Sequence, residues 1–459
     1  MSNDGHNLPM TEPLRGAGPA FSSDAPLPVR GRSLFASALR ECSIDRAVAR
    51  YIPLLTARVD LMRCRHLRLF AVGKAAGVML EAVLAHLTLP PGIDLQCIVI
   101  APSTPASLPK GFQFFPGGHP LPSDASFAGA RAVLELLAGL SSPDPKETLC
   151  LFLLSGGASA MMELPLDSSI SLDDTIAFHR ALVHSGASIA EINCVRKHFS
   201  AVKGGRLALA AGEVPCVSLF VSDVPSGRLD ALGSGPTLPD PTTIEDCRSI
   251  LGRHDLLPRF PAPVQRFFLD ANLPETPKPS DFNPDAVTLL DGDSLADAAR
   301  QQAQALGFHA VIDNTCDDWD CVAAADYLLG RLRALRRIHP RICLISVGEL
   351  TVSIPGDRLV ASCVGGRNQH FALYVATLLQ ASDVSIAVLS AGSDGIDGNS
   401  PFAGAVVDQR SLENPRLRSE ARSALAEFRS TSLLQRVGAT ISTGPTGNNL
   451  RDLRLLLAE

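Results

Sequence analysis

From about Ser33 to Leu251 short apolar runs end at Gly- or Ser-rich corners and are followed by Ala/Leu-rich helical segments. That alternation constrains the chain most, because it is the rhythm of strands joined through helical crossovers in a parallel sheet. Leu67–Val72 meets Gly73-Lys74-Ala75-Ala76, Leu149–Leu154 meets Ser155-Gly156-Gly157-Ala158-Ser159, and Val217–Val221 meets Ser222-Asp223. Each run is apolar on both faces, which predicts strands inside a sheet covered by helices.

A length of 459 residues predicts two or three domains, with cores large enough to need no staples. Residues 1–30 carry five prolines and no apolar core, so they read as a disordered tail, neither a secretory signal nor a transit peptide. Residues 31–255 form the first α/β domain. Between 256 and 284 the sequence turns Pro-rich and loses the rhythm, which suggests a linker or surface loop. Residues 285–459 resume as a second α/β unit, with strands at Ala286–Leu290, Ala310–Asp313, Ile342–Val347 and Val384–Leu389, and helices near Ser294–Leu306, Asp317–Ile338 and Asn368–Leu379. The predicted class is α/β, two domains with mainly parallel sheets.

Lys plus Arg 41 against Asp plus Glu 47, without runs of like charge, argues against a nucleic-acid partner and leaves small anions as ligands. Apolar residues make up 46% of the chain, yet no uninterrupted stretch reaches the ~18–20 residues of a membrane span. Eleven scattered cysteines without metal spacing read as reduced thiols of a cytoplasmic protein. The sequence is compatible with a homo-oligomer.

Several polar corners carry candidate chemistry, and each is also readable as a plain turn, cap or solvated face. Gly73-Lys74-Ala75-Ala76-Gly77, at a strand-to-helix corner, offers backbone N–H groups and a lysine to an anion. Ser155, Gly156, Gly157 and Ser159 form a second candidate phosphate cradle. Neither a dinucleotide-binding glycine fingerprint nor a Walker P-loop is present. Asn193, Arg196, Lys197, Lys203 and Arg206 cluster cations and an amide on one segment. Asp223 ends an apolar run, where the carboxyl edge of a parallel sheet meets ligands, and the Gly235-Pro236-Thr237 loop follows. Glu349 and the Gly365-Gly366-Arg367-Asn368-Gln369 helix start come next. Arg367 can neutralise a transferring phosphoryl group. Asp394 and Asp397 are spaced for a metal or hydroxyl, and Thr443–Asp452, with Thr446, reads as a strand-to-helix corner.

Taken in order, Gly73-Lys74-Ala75, Gly118-His119-Pro120, Leu154-Ser155-Gly156-Gly157, Ser185–His198, Lys203-Gly204-Gly205-Arg206, Ser222-Asp223-Val224, Ser234-Gly235-Pro236-Thr237, Gly365–Gln369, Asp394–Gly398 and Thr443–Thr446 resemble the class II glycerate 2-kinases with a MOFRL region, here about 340–455. The resemblance implies an active site in an interdomain cleft and an ATP-dependent kinase that uses a divalent cation, Mg2+, to phosphorylate D-glycerate at its 2-hydroxyl. An NAD(P)H-dependent hydroxypyruvate reductase is the alternative. Lys74 and Arg367 match the family's catalytic lysine and arginine. The expected roles are Lys74, Arg367 and Asp223 in catalysis; Gly73, Ser155, Gly156, Gly157, Ser159, Lys203, Gly235, Thr237 and Thr446 around ATP; Asn193, Arg196, Lys197 and Asn368 on the substrate; and Asp394 and Glu349 on metal. The chain departs from the family at Asn448, where a smaller hydroxylated residue is usual.

Overall fold

A computed structural model describes residues 25–105, 111–140, 144–354 and 363–459. The chain divides into two compact units, one spanning Ser43–Asp291 and the other joining Gly292–Glu459 to the segment that ends at Cys42.

The Ser43–Asp291 unit is built on six strands: His66–Val72 (β1), Asp94–Ala101 (β2), Phe112–Pro116 (β3), Thr148–Ser155 (β4), Cys216–Val221 (β5) and Asp285–Leu290 (β6). All neighbours pair in parallel, in the order β3-β2-β1-β4-β5-β6. That is the order of an open doubly wound sheet, whose topological switch point lies between the carboxyl ends of β1 and β4. The register sets Phe70 beside Phe152, and their rings stack with centroids 4.8 Å apart. Every residue of β4 is buried, as its uniformly apolar sequence requires.

Helix Ile189–Phe199 starts from a capping box in which Ser188 accepts from the Glu191 amide and Glu191 reaches back to Ser188. The Pro-rich segment expected as a linker at 256–284 is instead part of this unit. It carries the helix Ala262–Leu269, and Phe260 and Phe268 pack on Phe178 at 5.0 and 5.9 Å between ring centroids. Prolines there set the helix start and flank it without excluding burial. Strand β6, read from sequence as the opening of the second half, is the edge strand of this first sheet.

The second unit holds His309–Ile312 (β7), Ile342–Gly348 (β8), Ile386–Gly392 (β9), Gly404–Asp408 (β10), Thr440–Ile441 (β11) and Asp452–Ala458 (β12), ordered β11-β10-β9-β12-β8-β7. β7 and β8 pair in parallel; β12 runs antiparallel between β8 and β9, and β10 antiparallel between β9 and β11. Four strands therefore share one direction, with β10 and β12 inserted against them. The corner expected to lead from Thr443 into a helix leads into β12, whose seven residues are all buried. Residues 1–24 of the expected tail lie outside the described residues. From Leu27 the chain is helical to Glu41, and Arg30, 2% exposed, pairs with Glu459 beyond the end of β12.

Candidate functional site

In the Ser43–Asp291 unit the switch point gathers three of the sequence candidates. The β1 and β4 corners are tied by backbone, with Lys74 N donating to Gly156 O at 2.9 Å and Ala75 N to Ser155 Oγ at 3.0 Å. Lys74 is exposed at the entrance to helix Ala76–His86. Asp223, just past β5, lies against Gly156 so closely that any side chain at 156 would overlap its carboxylate. A Cβ on Gly157 would sit 3.2 Å from Lys74 Cγ and 3.1 Å from His119 Cδ2. Partial burial and the Lys74 charge hold the His119 imidazole below its ordinary pKa, favouring its neutral form. His119 was visible in sequence only as part of Gly118-His119-Pro120, and nothing local marked it as a neighbour of Lys74.

Away from that corner the cations turn inward. Lys203 is fully buried and donates to Glu163 Oε2 at 2.7 Å, with His179 Nε2 2.9 Å from the same oxygen. Lys203 therefore supports an internal carboxylate, and the expectation that it contacts ATP is not what this packing favours. Lys197, also buried, lies 3.1 Å from Asp230 and 3.4 Å from Asp240, so its charge is already met. Arg196 keeps a buried Nε without a partner, and burial lowers its pKa. Ser159 donates to Ser234 at 2.8 Å and Ser234 to Asn193 Oδ1 at 3.1 Å, a relay that joins three candidate segments. Thr237 is buried and accepts from Ser218, while Gly204, Gly205 and Leu207 amides donate to the carbonyls of Ser234, Gly235 and Pro236. The two glycine motifs at 204–206 and 233–237 are thus each other's partners, which accounts for both without a ligand on Gly235 or Thr237.

The second unit contains a cavity of about 510 Å³ lined by Leu350, Val352, Phe428, Arg367, Asp394 and Asp452 among others. Such a volume suits a small organic ligand. Two sequence motifs build one wall, where Gly366 packs on Asp397 and Gly365 N donates to Asn399 Oδ1 at 2.9 Å, and a third is tied to them by Thr446 N donating to Asp394 O at 3.0 Å. Asp397, 2% exposed, accepts from the backbone and side-chain nitrogens of both Asn368 and Gln369 at 2.8–3.2 Å, fixing the start of helix Arg367–Leu378. Burial pushes the Asp397 carboxyl up to about 6 despite those donors.

Arg367 is clasped from two sides: its Nε donates to Asp452 Oδ2 at 2.5 Å and its Nη1 to Glu349 Oε2 at 3.0 Å. Burial opposes the charge, but these carboxylates outweigh it and raise the guanidinium pKa further. Asp452 was missed in sequence; between Arg451 and Arg454 at the opening of β12 it carries no local mark of a partner 85 residues away. Thr446 donates its hydroxyl to Ser393 O, and Asn448, the departure from the family pattern, donates to Cys42 O at 2.9 Å. Asn448 thereby holds the end of the N-terminal helix.

The metal expectation is changed in one respect. Glu349 is engaged with Arg367, and among the described residues no group of three or more His, Cys, Asp or Glu could hold an ion. Asp394 lies on the cavity wall and Asp223 at the first corner.

A parallel sheet with a lysine and an aspartate at its switch point, together with a mixed sheet that presents an arginine to a cavity, defines a two-unit α/β enzyme for small anionic substrates. Residues 30–269 match the family described as a domain of unknown function (DUF4147), and residues 342–452 match the MOFRL family. The D-glycerate 2-kinase of Thermotoga maritima is 35% identical over 89% of this chain and 93% of its own, and the glycerate 2-kinase of Pyrococcus horikoshii 32% identical over 83% and 85%. The crystal structure of glycerate kinase from Thermotoga maritima superposes with a TM-score of 0.82 at 33% identity, covering 94% of this chain and 99% of that one. The chain belongs to the glycerate kinase family.

Proposed function

We propose that this protein transfers the γ-phosphoryl group of ATP to the 2-hydroxyl of D-glycerate, giving 2-phospho-D-glycerate and ADP. The observation that carries this reading is similarity to glycerate 2-kinases that covers 89% and 83% of this chain. Phosphoryl transfer asks a protein mainly for positioning and charge neutralisation. Lys74 supplies an exposed cation at the Ser155–Ser159 corner, where the phosphates of ATP rest in this reading. Arg367 supplies a planar fork for the transferring group. Asp223 orients or deprotonates the acceptor hydroxyl, and Arg196, with Asn193, serves the glycerate. Mg2+ enters with the nucleotide and offsets phosphate charge. No described helix is long and apolar enough to cross a membrane, and no disulfide joins the described cysteines, which supports a cytoplasmic setting.

A relative from Agrobacterium vitis, 33% identical over 84% of this chain and 85% of its own, carries a provisional hydroxypyruvate reductase name. The sheet order is that of dinucleotide-binding folds. Yet Gly73-Lys74-Ala75-Ala76-Gly77 after β1 lacks the glycine fingerprint, and β2 ends in Ala101-Pro102-Ser103, without the acidic residue that would hold a ribose. The kinase reading is favoured. Incubation with ATP, Mg2+ and D-glycerate, coupled to enolase without phosphoglycerate mutase, should give signal, because only the 2-phosphate is an enolase substrate. Signal that requires the mutase would overturn the regiochemistry, and NADH oxidation by hydroxypyruvate with no phosphorylated product would overturn the kinase.

A further inference from the structure

A guanidinium has five N–H donors, and a phosphoryl or carboxylate group is gripped best by two of them in parallel. On Arg367 three hydrogen bonds are in place, from Nε and Nη2 to Asp452 at 2.5 and 3.4 Å and from Nη1 to Glu349 at 3.0 Å, and Nη2 also lies 3.0 Å from Glu349 Oε1 as an ion pair. Every guanidinium nitrogen thus already faces a carboxylate, so Arg367 cannot take a second anion in a fork until one carboxylate leaves.

The two carboxylates are not equally held. Asp452 is 4% exposed and opens β12, where its backbone pairs between Gly348 and Gly392. Glu349 has its backbone anchored, with its N–H on Asp317 Oδ1 at 3.0 Å and its carbonyl accepting from Asp318 at 2.8 Å. Asp317 is fixed in turn by both terminal nitrogens of Arg451, at 2.5 and 2.7 Å. The Glu349 side chain, in contrast, is 34% exposed, and among the described residues Arg367 is its hydrogen-bond partner. Burial also pushes the Glu349 carboxyl above its ordinary pKa, so its charged form gives up less on leaving.

We propose that Glu349 is a built-in competitor for the anion position on Arg367, holding the guanidinium in the substrate-free protein and yielding to the phosphate of the nucleotide. The inference rests on the reading that Arg367 receives the phosphoryl group. Its consequence is selectivity: a weakly bound anion such as inorganic phosphate does not repay displacement of the carboxylate, whereas a nucleotide with further contacts does. Glu349 is a positioning residue in this scheme, because it acts through Arg367.

The test uses inorganic phosphate as the probe, both as an inhibitor competing with ATP and in direct titration followed by fluorescence of Trp319. That residue is the only tryptophan in the chain, and its carbonyl accepts from Thr351 N at 2.9 Å, two residues from Glu349. In Glu349→Gln, inorganic phosphate should bind about fivefold tighter and the KM for ATP should fall about threefold, the range expected for loss of a partly exposed competing ion pair. The double variant Arg367→Ala/Glu349→Gln should lose the gain. Glu349→Ala should behave like Glu349→Gln, which separates lost charge from altered packing. Unchanged or weaker phosphate binding in both single variants overturns the inference. If Arg367→Ala alone retains full turnover, the catalytic reading of Arg367 fails instead, while the phosphate titrations still decide the role of Glu349.

Discussion

Asp223, at the carboxyl end of β5, rests against the backbone of Gly156 at the end of β4, and no side chain fits between them. Both positions lie where a doubly wound sheet presents ligand-binding groups. Gly156→Ala should therefore displace the Asp223 carboxylate and lower kcat by about 10², the scale of a misplacement near 1 Å. Gly252→Ala is the matched control, because that glycine lies in a helix with nothing within 4 Å of an added Cβ. It should leave activity unchanged and raise stability by about 0.5–1 kcal/mol in urea melts. Equal activity in the two variants would remove Asp223 from the reaction.

Charge accumulates on the transferring phosphoryl group, where only fixed cations can meet it without reorganisation. Lys74→Ala and Arg367→Ala should each lower turnover by about 10³ at saturating ATP, with unchanged circular dichroism. Arg367→Lys should be nearly as poor, since a point charge cannot replace the planar fork between Asp452 and Glu349. Near-normal turnover in both alanine variants would show that neither group serves the transfer.

Asp452 sets the orientation of Arg367 through its 2.5 Å bond to Nε. Asp452→Asn keeps the shape but halves the acceptor capacity, leaving Glu349 as the stronger anchor. The arginine should then turn from its productive direction, so kcat should fall by about 10–100-fold while the KM for glycerate changes little. A KM effect with normal kcat would instead mark Asp452 as a binding group.

The parts of this architecture legible in the sequence are those fixed locally. β1, β4 and β5 are apolar on both faces because parallel neighbours and covering helices bury them, and their glycine corners follow at once. Strand β12, after the corner expected to open a helix, shows no alternation because all seven of its residues are buried, which removes the pattern that marks a strand. The half-exposed β3 had no strong pattern at all. For the site, Lys74, Asp223 and Arg367 announce themselves at strand ends and a helix start. The partner of a charge does not: Glu163 lies 40 residues from Lys203, and Asp452 lies 85 from Arg367. A run of cations therefore looked like a ligand site when Lys197 and Lys203 were already spoken for inside the fold.

That internal use of Lys203 gives the last prediction. Burial alone would push the Glu163 carboxyl up, but the Lys203 charge and the His179 hydrogen bond outweigh it and hold it at about 2, against an ordinary 4.5. A carboxyl whose pKa is lower in the folded protein contributes stability that is present above pH 4.5 and lost as pH falls toward 2. Lys203→Met retains the bulk of the side chain and leaves Glu163 buried without its main partner. Urea melts at pH 7 should show a loss of about 3–5 kcal/mol. The gap between wild type and variant should then shrink between about pH 4.5 and 2, because a protonated Glu163 no longer needs the lysine. The KM values for ATP and glycerate, measured below the variant's melting temperature, should stay within about twofold of wild type if Lys203 is structural. A large rise in the KM for ATP with stability unchanged would return Lys203 to the nucleotide and refute the internal assignment.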